Sequence, residues 1–277
     1  MTSNASPKVL VIVIHGLYSP WKEILLEGQL PTWAKASGYI DVVHGHSRPV
    51  NQAIHVVDQF LYSIRLHRLR WLATAFVLFE RLWKFPLRLG RWSPAVTEKT
   101  IQNTSALAWE VQMPDLAILG AHKTLSLLIH ALDYDYDYVI TTNSSSYIDL
   151  ETMYESILRL PRTNLVSGRF VPLPEGGSFP SGAFRIFSID VLAGVESRRS
   201  SCIHWIPEDV ALGRLLQDPA NVLIEMPNID LPSLEAIDRL LKSDLKGVVH
   251  FRCKSGPLNA RQDTSIMLAL YRKLVGE

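Results

Sequence analysis

Lys8-Val-Leu-Val-Ile-Val-Ile14 is a near-continuous β-branched run that stops at His15-Gly16. Apolar at every position from Val9 to Ile14 instead of alternating, it reads as a strand buried on both faces, the condition of a parallel sheet covered by helices. The segments that follow keep an alternating order. Glu23 to Ala36 reads as a helix, Ile40 to His44 as a strand, Lys123 to Leu132 as a helix and Tyr138 to Thr142 as a strand. Leu150 to Leu160 reads as a helix and Asn164 to Phe170 as a strand, and Pro172 to Gly182 as a Gly/Pro/Ser loop. Glu208 to Gln217 opens on acids and continues as a helix, as the macrodipole favours. Val222 to Met226 and Gly247 to Phe251 read as short strands, and Thr264 to Val275 as a last helix. The expected fold is α/β: one domain over 1–277, with a mostly parallel central sheet flanked by helices.

Composition narrows the class. With 277 residues, 47% hydrophobic and 20% charged, the chain can bury a full α/β core. A net charge of +1 gives no general pull toward nucleic acid. Two cysteines, Cys202 and Cys253, make no disulfide framework and no zinc-ligand spacing, as expected of a reduced, cytoplasmic protein. The first residues lack the basic region of a signal peptide, and no apolar run reaches the ~20 residues a membrane span needs.

The charge is unevenly placed. Between Leu61 and Trp92 stand Arg65, Arg68, Arg70, Arg81, Lys84, Arg88 and Arg91 against Glu80 alone, so this stretch carries +6 and the remainder −5. It also holds Trp71, Phe76, Phe79, Trp83, Phe85 and Trp92. Arginines flanking aromatic and aliphatic residues suit a helical insert, at about 59–95, that touches an anionic membrane surface. A core helix with snorkelling arginines has the same pattern.

Several stretches, taken in order, resemble the beta-1,3-galactosyltransferase and Fringe-like group of GT-A glycosyltransferases. They are the first strand with Gln29-Leu-Pro-Thr-Trp33, Asp115 to Thr124 with the helix after it, and Tyr136 to Asp149. Phe179-Pro-Ser-Gly-Ala-Phe-Arg-Ile-Phe-Ser188 and Ile206-Pro-Glu-Asp-Val-Ala-Leu-Gly-Arg-Leu215 complete the set, which leaves only the basic insert uncovered. The resemblance implies a single GT-A (Rossmann-like) domain and an inverting transfer from a nucleotide sugar, a uridine diphosphate sugar by the same likeness. The lack of a signal-peptide pattern and of a disulfide framework, together with the basic insert, points to an expected acceptor that is a glycan or lipid-linked polysaccharide precursor of a bacterial cell surface, met at the inner face of the membrane. In one respect the chain departs from the pattern. Where the family carries an Asp-x-Asp turn for a divalent metal, this sequence has Asn143, Ser144 and Ser145.

Chemistry can be attached to these positions. Inverting transfer needs a carboxylate to deprotonate the acceptor hydroxyl. The resemblance puts that base at Asp209, with Glu208 as its neighbour, although two acids at a helix start also serve the macrodipole alone. The leaving diphosphate needs positive charge or hydrogen-bond donors. His250 stands where a late metal-binding histidine is expected, but Mg²⁺ or Mn²⁺ would lack anionic ligands at the Asn-Ser-Ser turn. The expectation is therefore that no metal cofactor is used and that His250, Arg252 and Lys254 bind the diphosphate directly. Strand alternation would put all three on one face, as it would in a solvated edge strand. Further donor contacts are expected from His15, Gly16, Tyr18 and Ser19, in the loop at the carboxyl end of the first strand. Lys123 would bridge to the nucleotide, and Ser181 and Gly182 would present backbone to the sugar.

Two other readings use different residues. Asp133-Tyr-Asp-Tyr-Asp137 contains Asp-x-Asp twice, yet it precedes its strand and so falls at the opposite edge of the sheet. Gly45-His-Ser-Arg48 resembles half of a hydrolase nucleophile elbow, with Ser47 as nucleophile and Pro49 in place of the final glycine. A non-catalytic relative that binds a sugar nucleotide or partner is the third alternative, with Asn143 to Ser146 as a helix N-cap cluster.

Overall fold

A computed structural model describes residues 5–51, 54–55, 58, 94–101, 104–172, 176–203, 206–240, 245–256 and 261–275. The basic aromatic stretch 61–92 lies outside the described residues. The first strand is β1 (Val9–Ile14); after a loop, helical segments Trp21–Glu23, a π-helical Ile24–Gln29 and Leu30–Thr32 run on from one another without a break. Then come β2 (Ile40–Arg48), β3 (Val96–Thr100), β4 (Leu107–Pro114), the helix Gly120–His130, β5 (Tyr138–Asn143) and β6 (Ser146–Ile148). The helix Leu150–Ile157, β7 (Leu165–Pro172), β8 (Ser178–Ser188) and the helices Ile189–Ser197 and Glu208–Leu215 follow. Last are β9 (Val222–Glu225), β10 (Asn228–Asp230), the helix Leu234–Leu240, β11 (His250–Arg252) and the helix Asp263–Val275.

Eight strands form one sheet in the order β3-β4-β2-β1-β5-β8-β7-β9. The β4-β2, β2-β1, β1-β5 and β7-β9 pairs are parallel; the β3-β4, β5-β8 and β8-β7 pairs are antiparallel. The sheet is thus mixed, with a parallel centre. Both faces of β1 are covered, as its composition requires. Val9, Val11 and Val13 point into one core with Trp33, Phe184 and Met267, while Leu10 and Ile12 point into another with Trp109, Leu127 and Phe187. A strand enclosed this way loses nothing by being apolar at every position.

Several boundaries move for identifiable reasons. β2 runs on to Arg48, so Gly45-His46-Ser47 lies in extended backbone and Ser47 is buried within a strand. A nucleophile elbow needs a strand-to-helix turn there, and the hydrolase reading loses its geometry. Residues 178–182 belong to β8 instead of a loop, because Phe170, Val171 and Pro172 pair with Pro180, Phe179 and Ser178. The helix after the Asn-Ser-Ser turn is capped not by that turn but by Asp149, whose carboxylate accepts from Thr152 N at 3.0 Å. Between turn and cap lies β6, part of a small sheet in the order β10-β11-β6. The acidic turn Asp133–Asp137 sits at the amino end of β5, where Asp135 pairs with Lys8 on the surface.

The helix Glu208–Leu215 rides on β8 at Gly213. A Cβ there would fall 2.2 Å from Phe179 Cβ, so the close approach needs glycine. Gly213→Ala is expected to cost about 1–3 kcal/mol by overpacking, more than the ~1 kcal/mol of helix propensity it gains. At Gly194 a new Cβ would meet only the end of Arg198, at 3.4 Å. Gly194→Ala should leave stability unchanged or slightly raised. Denaturant titration of both checks the contrast, and equal stabilities would contradict it.

Candidate active site

β1, β4 and β5 all end on the same side of the sheet. Ile14 is in register with Asn143 of β5 and with Gly45 of β2, and β4 stops at Pro114 just before Asp115. β8 runs the other way and carries Ser181, Gly182 and Ala183 past the end of β5. Together they open a cleft of about 430 Å³ where open α/β sheets place ligands. His15, Gly16, Lys123, Asn143, Ser144, Ser145, Ser181, Gly182, Glu208, Asp209, Arg252 and Lys254 line it. Sequence reasoning brought these twelve positions forward separately, and the fold brings them together.

Three of the predicted residues sit elsewhere. Tyr18 stacks on His55 at 3.9 Å, and its hydroxyl donates to Val50 O at 2.7 Å, so it ties the loop after β1 to the chain after β2. Ser19 is exposed outside the cleft. His250 is buried behind the turn, stacked on Phe184 with ring centroids 4.9 Å apart, and its Nε2 lies 2.9 Å from Ser146 Oγ. Burial, then Arg252, pushes its pKa down to about 3. A neutral, enclosed imidazole braces the turn but does not face a ligand, and β11 ends at Arg252 before the expected alternation reaches Lys254.

The turn itself is tightly held. Gln29 Nε2 donates to Asn143 O (3.1 Å) and Ser146 O (3.2 Å), and Trp33 Nε1 also donates to Ser146 O (3.0 Å). Asn143 Oδ1 accepts from Ser145 N (3.1 Å), Ser146 Oγ donates to Ala183 O (3.0 Å), and Cys253 N donates to Ser145 O (2.7 Å). Ser145 Oγ accepts from Arg261 Nη2 at 2.6 Å. These are neutral oxygens, already engaged and next to a guanidinium. Such a donor set does not fit a hard divalent cation, which seeks carboxylates.

The cleft has two electrical ends. Near the turn stand Arg252, Lys254 and Arg261, and partial burial followed by the charges of Arg252 and Arg261 lowers the Lys254 pKa. Among the described residues neither Arg252 nor Lys254 has a carboxylate within ion-pair distance. Across the cleft are Glu208 and Asp209 at the start of their helix. Arg185, fully buried on β8, donates Nη2 to Glu208 Oε1 (2.7 Å) and Nε to Thr141 Oγ1 (3.0 Å). Glu208 is thereby neutralised, and the pair is fixed, because a buried arginine without its carboxylate would cost ~3–5 kcal/mol. Asp209 Oδ1 accepts only its neighbour's amide, Val210 N at 2.9 Å, among the described residues. Gly182 lies against both acids: a Cβ there would be 3.2 Å from Glu208 Oε2 and 3.5 Å from Asp209 Cβ. Lys123 is already committed, with Nζ donating to Asp115 Oδ1 (2.8 Å) and His15 O (3.2 Å).

Sequence reasoning missed Arg185, Arg261 and Trp21, all of which line the cleft. Arg185 sits at an inward position of a strand whose burial sequence alone did not reveal. Trp21 and Arg261 are 240 residues apart, and only the fold shows that the guanidinium lies 4.9 Å over the indole ring.

No family model matches the chain, and no curated protein does. Solved structures similar to it include the glycosyltransferase GlyE of Streptococcus pneumoniae TIGR4, at 9% identity over 89% of this chain and 54% of that one, with a TM-score of 0.39. Mouse xyloside xylosyltransferase 1 in its apo form is similar at 9% identity over 90% of this chain and 97% of that one, with a TM-score of 0.36. The chain spans about half the length of the first.

The wall beside the cleft holds three packed imidazoles. His15 lies 6.1 Å from His44 and 5.5 Å from His46, centroid to centroid, and burial lowers all three pKa values, His44 to about 4. Unfolded histidines protonate near 6.5 while these resist, so acid favours the unfolded chain and stability falls as pH drops from about 6.5 toward 4. Between pH 5 and 6 the slope of unfolding free energy should exceed about 1.4 kcal/mol per pH unit, one proton's worth. His44→Leu should reduce it by about that amount. A flat profile in urea titrations would contradict the assignment.

Proposed function

We propose that this chain is an inverting glycosyltransferase that takes its sugar from a nucleotide-sugar donor without a bound metal. The polarity of the cleft carries this reading: among the described residues, cations without an ion-pair partner stand at one end and an uncommitted carboxylate at the other, over the carboxyl ends of parallel strands. Arg252 and Lys254 suit the diphosphate, since charge-assisted bonds to phosphate oxygens stabilise a leaving group as its negative charge grows. The nucleotide would lie along His15 and Gly16, and the sugar would extend toward Ser181 and Gly182. Without a side chain at Gly182, the sugar can approach Asp209 closely.

The step is a single displacement. Asp209 takes the proton of the acceptor hydroxyl as that oxygen bonds to the anomeric carbon. The bond from this carbon to the diphosphate oxygen breaks on the opposite face, and its electron pair leaves with the nucleoside diphosphate. Arg185 keeps Glu208 ion-paired, so Glu208 does not compete for the proton. By resemblance the donor is a uridine diphosphate sugar. The +6 stretch 61–92 suits an acceptor held at an anionic membrane surface, a lipid-linked glycan among them. No helix among the described residues is long and apolar enough to cross a membrane.

Asp209→Asn keeps the shape of the side chain and removes the base. Turnover of the donor in the presence of acceptor should fall about 10²–10⁴-fold, with donor affinity by calorimetry within about threefold of the wild type. Undiminished turnover would remove Asp209 from the chemistry. A wild type that binds donor and never turns over would favour the non-catalytic alternative.

A further inference from the structure

We infer that Arg261 is a built-in cation of the turn, a fixed guanidinium that binds the diphosphate where a metal ion would otherwise be needed. The inference rests on the nucleotide-sugar reading for its ligand, but its geometry stands apart from it. Arginine offers five N–H donors in a rigid fork. In Arg261, Nε donates to Asp263 Oδ1 (2.9 Å), and Nη2 donates to Asp263 Oδ2 and to Ser145 Oγ (2.6 Å). Three donors are thus used, and the two on Nη1 have no hydrogen-bond partner among the described residues.

The described residues around it fix its position. Asp263 is fully buried and also accepts from Ser255 N (3.1 Å) and Ser255 Oγ (2.9 Å), so its charge is shared and its rotamer is set. The guanidinium lies over the Trp21 ring at 4.9 Å. Its side chain is only 4% exposed, yet it lines the cleft. A cation so enclosed and so oriented needs no reorganisation when an anion arrives, the condition under which electrostatic stabilisation is most effective. The cluster also explains itself. Arg252 and Lys254 sit close to Arg261, whose charge Asp263 balances, so the excess positive charge of the cluster is that of Arg252 and Lys254, a cost that a bound anion relieves. A diphosphate, with two linked phosphoryl groups, matches three converging cations better than a single carboxylate does.

Calorimetric titration with inorganic pyrophosphate in EDTA tests this without any sugar donor. The wild type should bind. Arg261→Gln combined with Asp263→Asn removes the fork without leaving Asp263 charged and alone, and should weaken binding at least about tenfold, the scale of a lost charge-assisted hydrogen bond. Arg261→Lys keeps a charge opposite Asp263 and serves if the double variant does not fold; it should still lose about fivefold, because a point charge cannot both brace the turn and bind. No pyrophosphate binding by the wild type, or wild-type affinity in the folded variants, would overturn the inference. Pyrophosphate binding lost in these variants, with no nucleotide sugar turned over by the wild type, would uphold Arg261 and reject the glycosyl-transfer reading alone.

Discussion

The backbone carbonyl of Ser146 is the point on which the site depends. It accepts hydrogen bonds from Gln29 and Trp33, one residue in the π-helical segment and one just past the helical stretch. The Ser146 hydroxyl reaches β8 and His250. A turn of four residues is thereby tied to a helix, a central strand and the small sheet. Ser146 is buried, as are its bonds to Gln29, Trp33, Ala183 and His250, so each is electrostatically stronger than in water and each loss more costly. The turn cannot shift without breaking bonds to all three, and that stiffness sets the floor of the cleft and the place of Arg261.

Around that floor the charges are sorted by commitment. Lys123 is matched to Asp115, Arg185 to Glu208 and Arg261 to Asp263, each pair partly or wholly out of water. Such pairs add little net stability, since desolvation offsets attraction, but they hold geometry. Among the described residues, the groups left over in the cleft are Asp209 on one side and Arg252 and Lys254 on the other. A neutral ligand would use neither end well. A ligand with an anionic head and a hydroxyl-bearing partner would use both.

Much of this was legible in the sequence, for reasons that differ by residue. β1 was readable because burial on both faces leaves no polar position to confuse the period. Glu208 and Asp209 were readable as a helix start, where acids and backbone N–H groups attract one another. The Asn-Ser-Ser turn was readable as a turn, but its bracing by Gln29 and Trp33 joins residues more than a hundred positions apart. His250 was expected on the cleft face with Arg252 from strand alternation, which carries no sign of Phe184 and Ser146, the distant residues that enclose it behind the turn. β6 and β10 escaped notice because three-residue strands carry no periodic signal. Arg185 and Arg261 look in sequence like any surface arginine; only long-range pairing shows that both are buried.

The cleft is proposed to take a nucleotide diphosphate sugar by fixed protein cations. A panel of nucleotide sugars, titrated calorimetrically in EDTA and again with Mn²⁺, tests this most directly. One donor should bind in EDTA, and Mn²⁺ should add no affinity. Binding that requires Mn²⁺, or no binding of any donor, would contradict the proposal.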